Sequence, residues 1–268
     1  MQEIVDHYER GREADRLSRG AGELERVRTL EILQRYLPPP PAAVLDVGGG
    51  PGAYATWLLE QGYAVDLVDP VPLHVTQAAA RMAALPGQGR VHRGDARHLR
   101  FGDDRFDAAL LLGPLYHLTS RSDRIMALTE AHRVLRPEGR IVAAAISRFA
   151  SLLDGFSRGL VRDAAFRAIL DRDLRDGQHR NVTDREYFTT AFFHRPEELA
   201  GELAGAGFDS IRIIAIEGPF WCLAGFDELW NDHDMRAFTM ETLRRLETEA
   251  AMIGASAHIL AVARKADP

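Results

Sequence analysis

Three aspartates and one run of glycines are the residues of this chain whose types and spacing could do chemistry. Asp46-Val47-Gly48-Gly49-Gly50-Pro51-Gly52 follows the apolar pair Val44-Leu45, and helix-spaced Tyr54, Thr56, Trp57, Leu58 and Leu59 come after it. This is the pattern of a strand, a tight turn and a helix N-terminus. Glycines in such a turn let a ligand approach bare backbone N–H groups, because no Cβ blocks it. Gly48, Gly50 and Ala53 also satisfy the loose dinucleotide pattern G-x-G-x-x-G/A, so an NAD site is one reading. Asp46 argues for another. A pyrophosphate needs donors with no anion beside them, whereas a ligand carrying an α-ammonium group is attracted by a carboxylate. The plain alternative is a strand-end Asp capping its own turn.

The D-x-G-x-G-x-G run resembles the first motif of the class I S-adenosylmethionine (SAM) dependent methyltransferases. That resemblance implies that Asp46, Gly48, Gly50 and Gly52 hold the methionine part of SAM. Asp69, which ends the strand-like stretch Ala64 to Val68, stands about twenty residues after the first glycine, where acids meet ribose hydroxyls in both dinucleotide and SAM folds, and Pro70 beside it is counted with the cofactor site. A carboxylate there accepts two hydroxyl hydrogen bonds at once. By the resemblance, Asp95 accepts from the adenine amino group, the backbone of Ala96 meets the ring, and Leu112 completes the cofactor site. An Asx turn is the simpler account of Asp95.

Methyl transfer needs a general base only when the acceptor holds a proton that it would not lose unaided. His117, His179 and His194 are the histidines to weigh. His117, with Tyr116 beside it, follows the most apolar strand candidate and is placed on the acceptor side, as base or positioning group. His194 directly precedes a helix start, which favours capping or packing, and His179 is expected at the surface. No H-x-x-x-H spacing or acid cluster supports a metal. Tyr8, Arg16, Tyr187, Phe188, His194 and Trp221 are the further candidates for substrate contact.

The elements that must position these residues alternate strand and helix. Residues 1–41 read as a helical arm, with Leu24, Val27, Leu30, Leu33 and Leu37 recurring, closed by the stiff Pro38–Pro41 connector. Residues 42–146 carry the cofactor half, with strands around 44–47, 64–69, 91–93, 106–112 and 140–146. A helix over 124–136 presents Ile125, Leu128, His132 and Leu135. Residues 147–195 break the alternation and read as a helical cap insertion over the carboxyl edge, grouped on Phe149, Leu152, Leu153 and Phe156 and on Phe166, Ile169, Leu170 and Leu174. Residues 196–268 complete the sheet, with a helix over 235–249 and a closing strand over 258–263. The expected architecture is α/β, a single Rossmann-like, doubly wound domain. Family resemblance over 42–265 implies a mostly parallel sheet of seven strands whose last strand is antiparallel, between the fifth and sixth.

The chain has 268 residues, 46% hydrophobic and 27% charged, with 33 Lys+Arg against 39 Asp+Glu and a net charge of −6. That is ordinary globular composition. No basic block exists to track phosphates, which argues against nucleic acid as substrate. Cys222 is the one cysteine, so neither an intrachain disulfide nor a cysteine zinc site can form. The polar beginning and the lack of a long apolar run point to a cytoplasmic protein with no membrane partner. The sequence reading is a methyltransferase that uses SAM, releases S-adenosylhomocysteine and acts on oxygen or nitrogen of a small organic acceptor. Its rivals are an NAD-dependent oxidoreductase and a SAM-binding regulator without turnover. Oligomeric state is not legible.

Overall fold

The computed structural model describes residues 20–181 and 187–266. Tyr8, Arg16 and most of the residues expected to precede the arm's apolar stripe lie outside them. Strands β1 (Ala43–Val47), β2 (Ala64–Asp69), β3 (Gly89–Arg93), β4 (Phe106–Leu111) and β5 (Leu135–Ser147) are parallel, in the spatial order β3-β2-β1-β4-β5. Beyond β5 comes β9 (His258–Lys265), antiparallel to β5 and to β8 (Phe208–Ala215), which puts the last strand between the fifth strand and its sequel as expected. The Rossmann-like mixed α/β fold is therefore present.

Near-continuous apolar composition in β1, β2 and β4 matches burial on both faces. On one face lie α1 (Gly20–Tyr36), α2 (Ala53–Glu60) and α3 (Pro72–Ala83), contributing Leu33, Ala55 and Ala78 to a core with Val44, Leu67 and Leu110. On the other face lie α5 (Arg121–Val134), which follows the short α4 (Pro114–His117), and α8 (Pro196–Gly205). Their Leu128 and Leu199 pack with Leu45, Ala109 and Ile141. Alternate residues of each strand serve opposite cores, which is the period-two geometry of a strand.

The insertion adds two strands that the apolar pattern does not announce. After α6 (Ala150–Ser157) and α7 (Ala164–Asp176), β6 (Gln178–His179) pairs antiparallel with β7 (Ala191–His194). β7 in turn pairs parallel with Ile146 and Ser147 of β5, and because β9 occupies the other edge at Ile146, β7 extends the sheet past the end of β4.

Several local expectations shift. The buried stripe of α5 is Arg124, Ala127, Leu128, Ala131 and Val134 rather than one through Ile125 and His132, because Arg124 has partners inside the protein. Phe156 is exposed. The α1 stripe holds Arg28 as well as Leu24 and Leu33, since Arg28 bonds Glu247 (2.6 Å) and the Ile216 carbonyl (3.2 Å). The turn at 136–139 sits inside β5 as an irregularity opposite Asp107, with Glu138 at φ 63°. The long C-terminal helix, α10 (His233–Leu246), starts after a separate α9 (Phe226–Asn231), and α11 (Ala250–Ile253) follows it. Among the described residues no helix is long and apolar enough to cross a membrane.

Candidate active site

β1 is central, with Asp46 paired to Leu67 on one side and Leu110 on the other. The chain leaves β1 toward β2 and later returns to its opposite edge as β4, so the glycine loop opens at the point where strand order reverses, where ligands bind in open α/β sheets. The loop after β4 abuts it. A Cβ on Gly48, whose φ is +70°, would lie 2.7 Å from the Pro114 ring, and Gly113 stands against the Gly48 carbonyl. Gly48 N–H donates to the Val68 carbonyl at 2.7 Å, which fixes the turn.

Asp46 is fully buried, and neither carboxylate oxygen has a hydrogen-bond partner among the described residues. It does not cap its own turn. Burial, with Asp69 as a neighbouring anion, pushes its carboxyl up to about 7. A buried acceptor left unpaired costs about 1–3 kcal/mol, more if charged, so such a group persists where something else supplies the donor. Gly49 shows how close the walls are: a Cβ there would lie 2.5 Å from Asp46 Oδ2. Sequence spacing does not single Gly49 out.

Asp69 is also buried, yet fully engaged. Its Oδ2 accepts from Gly50 N–H and its Oδ1 from Val71 N–H, each at 2.9 Å, and His74 Nδ1 lies 3.2 Å from Oδ1. The carboxylate thus ties the glycine loop to the start of α3 across Pro70, a task that the spacing argument does not foresee. Asp95 accepts from Arg97 N–H (2.9 Å), Nε (3.0 Å) and Nη2 (2.6 Å). Arg97 holds its carboxyl below the ordinary carboxylate range. The Asx turn is present, and Ala96 beside it is partly buried against the core.

Tyr116 and His117 end α4, in edge-to-face contact with ring centroids 4.6 Å apart. The Tyr116 hydroxyl donates to the Leu112 carbonyl at 3.3 Å. The insertion comes down on this pair: Phe188 stacks on His117 at 6.2 Å, and Phe193, Ala191 and Ile146 form one apolar cluster with Tyr116. Gln178 Nε2 donates to the Thr119 carbonyl at 3.1 Å. From below, Arg124 Nη1 donates to the carbonyls of Leu118 (2.9 Å) and Thr119 (3.0 Å), while Nε and Nη2 form a fork to Glu202. Arg124 is the clamp that sequence reading missed; its signal is an arginine in phase with Ala127, Leu128 and Ala131.

Other candidates are placed elsewhere. His194 has no exposed side chain and its Nε2 lies 3.3 Å from the Glu202 carboxylate, to which it donates, so it belongs to the clamp and not to an acceptor surface. His179 is buried rather than at the surface, bonded to Asp173 (2.8 Å) and stacked on Phe193. The Tyr187 hydroxyl donates to Asp163 at 2.6 Å inside the insertion. Trp221 Nε1 donates to the Ala255 carbonyl at 3.0 Å, which turns its polar end away from solvent.

Residues 44–139 match the sequence family described as a methyltransferase domain. That stretch of the chain is similar to methyltransferase domains. An uncharacterized methyltransferase of Mycobacterium tuberculosis is 34% identical over 167 residues, 62% of this chain and 62% of its own length. A malonyl-[acyl-carrier protein] O-methyltransferase of Geobacter sulfurreducens is 33% identical over 65% of the chain and 58% of its own. The match therefore spans less than two thirds of these curated relatives. Among solved structures, the Burkholderia thailandensis 1,6-didemethyltoxoflavin-N1-methyltransferase, with its substrate and S-adenosylhomocysteine bound, superimposes with a TM-score of 0.60 at 20% identity, over 99% of this chain and 87% of that one. The fold is the one that solved SAM-dependent methyltransferases share. The residues fit the SAM of those enzymes: a carboxylate buried without partners among the described residues faces a turn that leaves no room for a Cβ at Gly48 or Gly49, which suits an ammonium group.

Proposed function

We propose that the protein is a methyltransferase that moves the methyl group of SAM to an oxygen or nitrogen of a small organic acceptor, in the cytoplasm, without nucleic acid, membrane or metal as partner. The observation that carries this reading is Asp46, buried and without hydrogen-bond partners among the described residues, at the mouth of the glycine loop. A dinucleotide pyrophosphate would place anion against anion there. The domain match favours methyl transfer over the oxidoreductase and over a regulator without turnover.

Asp46 and the turn Gly48–Gly52 would hold the α-ammonium and carboxylate of the methionine portion. Asp69 would keep the loop in register and meet the ribose at its edge, and Asp95 with Ala96 would receive the adenine. Tyr116 and His117 would line the acceptor side, with Phe188 closing over them. The sulfonium supplies an already activated methyl, so the chain's task is alignment and exclusion of water. The aromatic cover of Tyr116, Phe188 and Phe193 serves that exclusion. The names of the Geobacter relative and the Burkholderia neighbour give one oxygen and one nitrogen acceptor, in keeping with either atom.

Thermal shift against S-adenosylhomocysteine and NADH tests the cofactor, with stabilisation expected from the first alone. Incubation with methyl-labelled SAM and cell extract, followed by identification of whatever gains label, tests the transfer. Stabilisation by NADH alone would overturn the assignment.

A further inference from the structure

Arg97 stands in the turn after β3, close to the glycine loop. Gly50 N–H donates to Asp69 Oδ2 at 2.9 Å, and Gly94 N–H donates to the Asp69 carbonyl at 3.2 Å. Asp95, the next residue, is thereby tied to the glycine loop through Asp69. Its own carboxylate is held from the other side. Arg97 Nη1 donates to Asp123 Oδ2 at 2.9 Å, in the first turn of α5, so the guanidinium is anchored at both ends.

A carboxylate offers about four acceptor positions, two on each oxygen. Among the described residues, Arg97 fills three of those on Asp95: its backbone N–H (2.9 Å) and Nε (3.0 Å) both donate to Oδ1, and Nη2 (2.6 Å) donates to Oδ2. One position is left, on Oδ2. The planar fork also fixes the plane of the carboxylate, and so the direction of that position. An ion pair whose side chains are 30% and 34% exposed adds little to stability, so orientation is the larger consequence of the fork.

Resting on the reading that Asp95 receives the adenine of SAM, we infer that Arg97 is the positioning residue that sets base selectivity: it leaves Asp95 one acceptor position, matched to an exocyclic amino group and closed to an oxo group. The amino group of adenine brings an N–H to Oδ2, and the charge of the carboxylate strengthens the bond. The oxo group of hypoxanthine brings a lone pair to the same place, against an anion that cannot turn away. Without the fork the carboxylate turns, and the neighbouring ring N–H of hypoxanthine can satisfy it.

The test titrates two ligands by calorimetry, S-adenosylhomocysteine and S-inosylhomocysteine, which differ only in amino against oxo on the base. The ratio of their affinities cancels any general loss of binding. Wild type is expected to favour the adenosyl ligand by about 10- to 100-fold, the range of a hydrogen bond to a charged group. Arg97→Met should melt close to wild type and lose about tenfold of that preference. Asp95→Asn should reverse it, and keeps the test open if Arg97→Met does not fold. Its amide oxygen stays on the N–H and Nε of Arg97, so the amide N–H group faces the base and donates to the oxo group. The wild-type preference surviving in Arg97→Met, or in Asp95→Asn, would overturn the role of Arg97. Wild type that binds both ligands alike would overturn it too, while wild type that binds neither would instead overturn the SAM reading itself.

Discussion

Asp46 and Glu202 are both buried carboxylates, one at the glycine loop and one beneath the insertion, and they titrate at opposite extremes. Burial opposes ionisation of each. At Glu202, hydrogen bonds from His194 and the Arg124 fork outweigh it and hold the carboxyl at about 2. At Asp46 nothing outweighs it, and the carboxyl rises to about 7. The contrast teaches how to tell structure from site. A buried acid whose partners are supplied by the chain is part of the scaffold, while one whose partners are missing is poised for something that arrives from outside.

The strongest way to break the contrast is to strip Glu202 of its fork. Arg124→Met leaves a buried charge uncompensated and should cost about 3–5 kcal/mol in urea unfolding, and Arg124→Met combined with Glu202→Leu should recover most of it. If the single variant loses under 1 kcal/mol, the clamp is not a buried pair in solution.

Asp46→Asn should act in the opposite sense on the free protein. The folded value lies above the unfolded one of 3.8, so the free protein loses stability as pH rises from about 4 to about 7, by at most about 4 kcal/mol. The asparagine variant should flatten that decline in a melting series and weaken SAM by about 2–5 kcal/mol in calorimetry, as when one partner of a buried charge pair is removed. A variant that binds SAM as tightly as wild type would place the ammonium elsewhere.

Asp69→Ala sharpens the comparison, because it removes the neighbouring anion and also two backbone acceptor bonds. It should weaken SAM by about 1.5–3 kcal/mol and bring the Asp46 titration down. The smallest effect is expected from pH alone. Below about 7 the Asp46 carboxyl must shed its proton to meet an ammonium, so SAM affinity should rise by up to about tenfold per unit as pH climbs toward 7. Calorimetry in buffers of different ionisation heat should then report proton release at pH 5.5 that shrinks as pH approaches 7.

Much of this arrangement is legible in the chain itself. The Asp–glycine run, the acids after the next two strands and the buried apolar strands place the glycine loop and the sheet around it, because they depend on local spacing. The cap is different. His179 and His194 there, and Trp221 beyond it, read as surface or substrate groups, yet each is turned inward by a partner on another element: Asp173, Glu202 and the Ala255 carbonyl. Arg28 and Arg124 stay hidden for the same reason. Their partners are far along the chain, and no periodicity records a long-range pair.

The tie between α1 and the far end of the fold sets a timetable. Arg28 meets Glu247, 219 residues later, and Arg35 bonds the same carboxylate at 2.6 and 2.8 Å. At about 5–20 residues per second of synthesis, the first described helix waits on the order of 10–40 s for the acid that secures it. Over that interval the glycine loop and its strands emerge before α1 can be locked onto them. Ribosome-bound chains stopped short of Glu247 should thus yield to protease at α1, and resistance there would mean that the helix docks without its distant anchor.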